Sequence, residues 1–317
     1  MIFFHQNDNM SLETIANAKE RHWEKVKSLL KTLKIKLSPQ RQKELSMISG
    51  KTKQEAYIQK VIIRTLDDFF KPYKFEEIVK ADYTTIKGIV NNKWVPPKKI
   101  IDIKINPKDF FVDKLYKNYR KKYGHEFVKA LGINVCPYCN RNYINGGPRN
   151  TMAQVDHYFN KSTYYFLAVT FANLVPSCPY CNHNKGEKDI KISPYDCEYN
   201  TDDVVLFSYA HKDRDNIQIK VTPLKDEMED NIKAFQLQDI YSYHEDIVKE
   251  LEFKSRCYPQ NYTVSIANLL KQVSGLNMMP EEIYYGIFLS CDKYYLRPLS
   301  KFTKDIVEQI KTDSTNS

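Results

Sequence analysis

Apolar residues recur at three- and four-residue spacing over much of the chain, and this period predicts amphipathic helices. The pattern is clearest over residues 11–35, 53–71, 75–91 and 109–131. It returns from about residue 228 to residue 311. Both ends of the chain are therefore expected to be mostly helical.

Three prolines interrupt the helical period between residues 92 and 108. Because proline lacks an amide proton and clashes with the preceding turn, Pro96, Pro97 and Pro107 exclude a helix there. The run Ile-Ile-Asp-Ile-Lys-Ile at 100–105 alternates in polarity and predicts a short extended segment instead.

The middle of the chain has a different composition. Residues 132–200 place Cys, Asn, Gly and Pro between short apolar runs, which is typical of short strands and turns. Runs at 203–210 and 216–222 predict two further strands. The predicted fold class is α+β, with a compact core over 132–200 between a basic, mainly helical region over 1–131 and a region of strands and then helices over 201–317.

Charge is distributed unevenly along the 317 residues, whose net charge is +9. Basic residues outnumber acidic ones by about two to one in residues 1–135, and acidic residues are in slight excess over the rest. Such a basic region is typical of polyanion binding, with a lysine-rich solvated surface as an equal alternative. Residues 94–99 and 117–123 interleave aromatic and basic side chains, which suits stacking and phosphate contact.

No run of about 18 apolar residues is present, which argues against a membrane span. The first residues lack the basic segment and long apolar core of a signal peptide. We therefore expect a cytoplasmic protein. Its seven cysteines are an odd number, which argues against a disulfide framework, and we expect Cys197, Cys257 and Cys291 to be buried thiols.

The other four cysteines lie in two copies of one tetrapeptide. Cys136-Pro-Tyr-Cys139 is the first knuckle and Cys178-Pro-Tyr-Cys181 is the second. Two residues between cysteines allow one turn to present both thiolates, and Zn²⁺ binds four such ligands as a tetrahedron. Redox-active pairs are the alternative, but a thioredoxin-like site requires a βαβ context that the pattern lacks. The repeated knuckle therefore predicts one structural Zn²⁺ site.

The 38 residues between the two knuckles contain further candidate residues. Asp156 and His157 are adjacent, Asn173 comes later, and Asn182 stands directly after the second knuckle. This ordered series resembles the HNH endonucleases of the His-Me finger, or ββα-metal, superfamily. The resemblance covers roughly residues 132–190.

The resemblance implies a metal-dependent phosphodiester hydrolase with Asp156, His157, Asn173 and Asn182 as its catalytic residues. His157 would be the general base, since an imidazole titrates near neutral pH. Asp156 and Asn182 would hold one Mg²⁺ or Mn²⁺ through oxygen atoms, and Asn173 would keep His157 in place. Many family members carry histidine at the position of Asn182, and an oxygen ligand there favours Mg²⁺ or Mn²⁺ over softer ions.

Several side chains near these residues are candidates for contact with nucleic acid. They are Arg141, Lys161, His183, Lys185 and Lys188. The expected substrate is DNA, and double-stranded DNA in particular. Two alternatives stay open: an RNA-cleaving HNH nuclease, and a zinc-stabilised module that binds nucleic acid or a partner through an inactive HNH core.

The segment at 293–310 resembles the C-terminal part of HNH proteins found beside ATPase genes in bacterial anti-phage systems, such as those of the Septu type. That resemblance implies a role in antiviral defence. It also implies a partner protein, an ATPase of the ABC or SMC-like type.

Overall fold

Helices predominate at both ends of the chain, and two small antiparallel sheets lie between them. The predicted α+β class is therefore confirmed. The computed structural model describes residues 1–7, 12–147, 151–213, 216–257, 264–266, 268–269, 271–272 and 280–315.

The described part of the chain before residue 92 folds into α-helices. They are α1 (Leu12–Leu30), α2 (Pro39–Ser46), α3 (Lys51–Phe69), α4 (Phe75–Lys80) and α5 (Tyr83–Asn91). The helix predicted over 75–91 is divided, because the Asp82 side chain caps α5 by accepting from the Thr85 amide at 2.8 Å. Helix α2 was not predicted, because it buries no residue and its sequence therefore carries no apolar period.

The prediction of an extended segment over residues 100–105 is wrong. They form turns, and within this fully described stretch only Ile103 pairs, in an isolated bridge to Leu37. Ile100 and Ile103 are buried. A turn brings two residues at this spacing to the same side, so the apolar positions are satisfied without a strand.

A continuous helical segment of two kinds leads into the core. Asp109–Tyr116 is a π-helix, and it continues directly into α6, Lys117–Ala130. The wider turn of a π-helix is rare in proteins overall, but where it occurs it is often at a functional site. Here it ends on Tyr116, a residue of the candidate active site.

The compact core has the predicted ββα arrangement. Its elements are β1 (Gln154–His157), β2 (Leu174–Ser177) and α7 (Pro179–Lys185). The strands are antiparallel, with Asp156 opposite Val175 and His157 opposite Leu174. Pro179 in the first turn favours the start of α7, and Gly186, at φ +50°, stands just after its end.

The C-terminal region begins with a β-hairpin that agrees with the two predicted strands. Its elements are α8 (Thr201–Val204), β3 (Val205–His211), β4 (Ile217–Pro223), α9 (Glu227–Phe235), α10 (Leu237–Ser242), α11 (Glu245–Cys257), α12 (Pro280–Tyr285) and α13 (Ser300–Thr315). Helix α13 packs on β3, where the Asp305 carboxylate accepts from the Phe207 amide at 2.9 Å.

Both helical regions pack directly on the core. The Ile2 amide donates to the Pro137 carbonyl at 2.7 Å, and the Tyr241 hydroxyl donates to the Cys139 carbonyl at 2.6 Å. Buried apolar residues from all parts of the chain contribute to one hydrophobic core. The division into regions at 131 and 200 stays a prediction.

The three scattered cysteines are not buried as expected. Cys197 and Cys257 are exposed, and Cys291 is half-buried. Cys257 is the last residue of helix α11, and Cys291 begins a short 3₁₀-helix over 291–293, so the apolar core does not enclose either thiol.

Across the described residues, no helix combines the length and the apolar composition needed to cross a bilayer.

Candidate active site

The four cysteines of the two knuckles are buried, and none forms a disulfide. All four sulfur atoms lie within 4.8 Å of one another, and the Sγ atoms of Cys139 and Cys178 are 4.0 Å apart. Sulfur atoms around a tetrahedral zinc ion lie about 3.8 Å apart. The donor set and its spacing fit one metal ion, and the predicted clustering is confirmed.

Amide groups around the cluster favour the thiolate form. The Arg141 backbone amide donates to Cys139 Sγ, and the Asn142 side chain donates to Cys178 Sγ, each at 3.4 Å. Metal binding requires deprotonated sulfur, so these donors suit a metal site.

The tyrosines of the two knuckles have different surroundings. Tyr138 is fully buried, stacks on Phe235 with ring centroids 4.3 Å apart, and donates its hydroxyl to Asp156 Oδ2 at 2.7 Å. Tyr180 lies at the surface and donates to Gln236 Oε1 at 2.7 Å. Tyr138 thus links the cysteine cluster to Asp156. The sequence did not identify it, because the two knuckles are identical.

The asparagines directly after the knuckles differ in the same way. Asn140 is buried in a left-handed conformation, φ +51°, and its side chain bonds the Tyr294 carbonyl at 3.0 Å and the Lys301 amide at 3.1 Å. Asn182 is half-buried, and its Nδ2 donates to Gln154 Oε1 at 2.6 Å. This bond leaves the Asn182 amide oxygen as an acceptor.

Asp156, His157 and Asn182 line one cleft of about 240 Å³. One wall of the cleft comes from β1 and α7, and the other comes from the end of the π-helix and α6, through Tyr116 and Arg120. The three residues that the sequence predicted to act together are therefore neighbours in space.

The Asp156 carboxylate is buried and already has two partners. Besides Tyr138, the Lys185 ammonium lies 3.2 Å from Oδ2. Burial raises the pKa of Asp156, whereas the charge of Lys185 lowers it. A carboxylate has about four lone-pair sites, so acceptor capacity remains for a cation in the cleft.

Lys185 does not have the environment expected of a phosphate contact. Its side chain is fully buried, and its Nζ donates to the His157 carbonyl at 2.7 Å besides pairing with Asp156. A buried ammonium with these partners is inaccessible to a substrate in the cleft. Its position on the inward face of α7 makes it a support for β1, which corrects the prediction.

The His157 ring is held in one tautomer. Its Nε2 donates to the Ala168 carbonyl at 3.0 Å, which leaves Nδ1 with a free lone pair. The Tyr116 ring meets it edge-on, with centroids 4.3 Å apart. Burial, then the charge of Lys161, lowers the pKa of His157 to about 3. The imidazole is therefore neutral with Nδ1 unprotonated, but a pKa this low makes it a weak base until a negative charge in the cleft raises that pKa.

Asn173 is fully buried, and its side chain bonds backbone groups of the nearby loop. Its Oδ1 accepts from the Phe159 amide at 2.7 Å, and its Nδ2 donates to the Leu167 carbonyl at 3.0 Å. Asn173 therefore fixes the loop that carries Ala168, the acceptor for His157. This geometry fits a positioning role.

A second histidine supports the same loop. His22 of α1 donates from Nε2 to the Val169 carbonyl at 2.8 Å, and its Nδ1 accepts from the Tyr119 hydroxyl at 2.6 Å. Adjacent carbonyls, those of Ala168 and Val169, thus each accept from a histidine. Sequence reasoning missed His22, since a lone histidine in a helix carries no motif.

The remaining candidates for nucleic-acid contact are dispersed. Lys161 lines the cleft. Arg141 lies beside the cysteine cluster instead, where its Nε donates to His244 at 2.9 Å. His183 and Lys188 are exposed but are not part of the cleft wall.

The aromatic residues of 117–123 also differ from expectation. Tyr119 and Tyr123 are buried against α1, so neither ring is available for stacking on a base. Only Arg120 of this stretch faces the cleft.

Residues 136–188 match the family model for HNH endonucleases. The match contains both knuckles, β1, β2 and α7, so the chain carries an HNH endonuclease domain and the predicted resemblance is confirmed. A stretch of 118 residues is 27% identical to the Septu protein PtuB of Bacillus thuringiensis, covering 35% of this chain and 45% of that protein. The matched stretch therefore spans less than half of that relative. No solved structure matches the chain.

Proposed function

We propose that the chain is a metal-dependent endonuclease that hydrolyses the phosphodiester bonds of DNA, with double-stranded DNA as its main substrate. The observation that carries the proposal is the meeting of Asp156, His157 and Asn182 on one cleft within the HNH segment. A carboxylate, a neutral imidazole and an amide oxygen together are the groups that hydrolysis of a phosphodiester requires.

His157 is the general base of this mechanism. Its Nδ1 accepts a proton from the water that attacks the phosphorus, and its Nε2–H stays bonded to the Ala168 carbonyl. That carbonyl also stabilises the positive charge that the ring acquires. Tyr116 and Asn173 keep the ring and its acceptor in place, because they contact the ring and the loop respectively.

Asp156 and Asn182 would hold one Mg²⁺ or Mn²⁺. One carboxylate and one amide oxygen fit such an ion, since it keeps several waters and needs few protein ligands. A bound divalent cation supplies charge to the phosphate and to the departing 3′ oxygen. Lys185 and Tyr138 orient the Asp156 carboxylate from behind.

The four cysteines would hold a structural Zn²⁺ rather than take part in the reaction. Joining the two knuckles brings the ends of the 38-residue insertion together, so β1 and α7 lie side by side and form one wall of the cleft. A cytoplasmic location, where thiols stay reduced, is part of this proposal.

Similarity to a Septu protein supports a role as an effector of antiviral defence. In this proposal the partner is an ATPase of the ABC or SMC-like type, which licenses cleavage. The segment at 293–310, which first pointed to these systems, packs against Asn140 and β3 and leaves the cleft free.

Cleavage of supercoiled plasmid with added Mg²⁺ or Mn²⁺ tests the proposal, with RNA assayed in parallel and the ATPase supplied in a second series. We expect His157→Ala to lower the rate by about 10²–10⁴-fold, whereas the exposed control His183→Ala keeps wild-type activity. Equal rates for wild type and His157→Ala would show that the catalytic assignment is wrong. If only RNA were cleaved, RNA rather than DNA would be the substrate.

A further inference from the structure

We propose that Arg120 binds the phosphate at the point of cleavage, so that helix α6, outside the HNH segment, completes the active site. The inference rests on the proposed nuclease function and names a substrate-binding residue for the same cleft. It is carried by the position of Arg120, by the way its helix is fixed to β1, and by the balance of charge in the cleft.

Arg120 lies one helical turn after Tyr116, so the two side chains share one face of the helix. Both line the cleft that Asp156 and His157 line from the other side. The Arg120 side chain is exposed, and in the described structure it forms no ion pair with a carboxylate.

Tyr116 fixes this helix relative to the catalytic strand. Its hydroxyl donates to the Val155 carbonyl of β1 at 3.0 Å, and its ring contacts His157 with centroids 4.3 Å apart. Since Arg120 comes one turn later on a continuous helix, its guanidinium is held at a set position relative to His157. A residue on a free loop would lack this constraint.

The charges in the cleft favour an anion. The Asp156 charge is offset from behind by Lys185, whereas Arg120 and Lys161 both face the cleft without a carboxylate partner among the described residues. Glu187 also lines the cleft, and it forms an ion pair with neither of them. Burial, then the nearby charge of Arg120, lowers the pKa of Lys161. An anion between the two cations relieves their repulsion.

A phosphodiester is the anion that this arrangement fits. A guanidinium presents two parallel N–H groups to two phosphate oxygens, which fixes orientation as well as charge. With Arg120 on one wall and His157 Nδ1 on the other, the phosphate would lie between the cation and the attacking water. Lys161 adds a second positive charge beside it.

Binding is tested first, in chains that carry His157→Ala and therefore do not cut. A fluorescent short DNA duplex is titrated by anisotropy at several salt concentrations without added Mg²⁺. We expect Arg120→Gln to weaken binding by about tenfold and to lower the slope of log affinity against log salt by about one. Lys121→Gln, an exposed neighbour outside the cleft, is the matched control and should stay within about twofold of the parent.

Turnover is tested second, in the active chain. We expect Arg120→Gln to lower kcat by about 10²–10³-fold and Arg120→Lys to recover part of the loss, because the charge is retained but the two-pronged contact is not. The Lys variant also covers the case in which the Gln variant fails to fold. If the affinity and kcat of Arg120→Gln equal those of Lys121→Gln, the inference is wrong.

Failure of the proposed function would look different. In that case wild type would cut neither DNA nor RNA, with or without the ATPase, whatever residue stands at 120. The anisotropy series would then decide the inference alone: loss of binding specific to Arg120→Gln would support a phosphodiester in the cleft, and equal binding would exclude it.

Discussion

The sequence Cys-Pro-Tyr-Cys-Asn occurs twice, at 136–140 and at 178–182, and the two copies face different parts of the molecule. In the first copy the tyrosine and asparagine are buried and bond to other regions of the chain. In the second copy the tyrosine is at the surface and the asparagine lines the cleft. Identical residues are thus buried supports in one copy and lie at the surface or in the cleft in the other.

The difference has a physical origin in the path that the chain takes after each copy. From 178–182 the chain continues as helix α7, so Asn182 has helical geometry and its side chain projects to one side. From 136–140 the chain turns through a left-handed residue, Asn140, which helices cannot accommodate. The segment 294–301 can then approach the buried face, where its backbone bonds to Asn140.

Replacing one knuckle cysteine should have the largest effect, because both copies contribute to the same proposed metal site. A tetrahedral site needs all four ligands, so Cys136→Ser and Cys178→Ser should each lose the metal and lower the free energy of unfolding by on the order of 5 kcal/mol. Metal analysis and urea unfolding measure both quantities, with the exposed Cys197→Ser as a silent control. Retention of one zinc per chain by either knuckle variant would contradict a four-cysteine site.

Lys185→Met should have the next largest effect. Lys185 lies on α7, the helix that begins in the second copy, and the variant tests its contacts with β1. The substitution leaves the buried Asp156 carboxylate without its counter-charge, which costs about 3–5 kcal/mol in the free energy of unfolding. Lys188→Met, at an exposed position three residues on, should change it by less than about 0.5 kcal/mol. Equal stability of the two variants would mean that the ion pair contributes nothing.

The two asparagines should separate stability from activity. Asn140→Ala removes two buried hydrogen bonds to Tyr294 and Lys301 and places alanine at a positive φ, so we expect a loss of about 2–4 kcal/mol. Asn182→Ala should cost less than about 1 kcal/mol and abolish metal-dependent cleavage. Urea unfolding and the plasmid assay together read out both. If instead Asn182→Ala lost the stability and Asn140→Ala lost the activity, Asn140 rather than Asn182 would be the catalytic asparagine.

The smallest effect concerns the two tyrosines. Tyr138→Phe leaves Asp156 Oδ2 without its hydroxyl donor and should cost about 1–2 kcal/mol, whereas the exposed Tyr180→Phe should stay within about 0.5 kcal/mol of wild type. Thermal unfolding of both variants checks this. Equal losses of stability in the two variants would contradict the different roles of the two tyrosines.

Local spacing was sufficient to predict much of this molecule. The two-residue gap in each knuckle predicted the cysteine cluster, and the resemblance of the series Asp156, His157 and Asn182 to HNH endonucleases implied residues that share one cleft. The β-hairpin over 205–223 and most helices also arise from short-range periodicity. The hairpin and the helices depend on residues close together in the chain, whereas the cysteine cluster joins residues 39 positions apart that share a repeated motif.

Contacts between distant residues could not be predicted in this way. Tyr116 reaches His157 across 41 positions, and His22 reaches Val169 across 147. Lys185 and Lys188 are the same residue type three positions apart, yet one is buried and the other exposed. Which side of α7 faces inward depends on tertiary packing, and a single sequence carries no mark of it.

The contacts of Tyr116 and His22 also bear on whether residues 136–188 can form the site as a separate unit. Residues 136–188 match the family as one block, but the His157 ring contacts Tyr116 of the π-helix, and the loop that accepts its hydrogen bond is held by His22 of α1, both outside that block. The segment that matches the family is therefore smaller than the part of the chain that positions His157. A transplanted segment 136–188 would lose these two contacts unless its new surroundings supplied replacements.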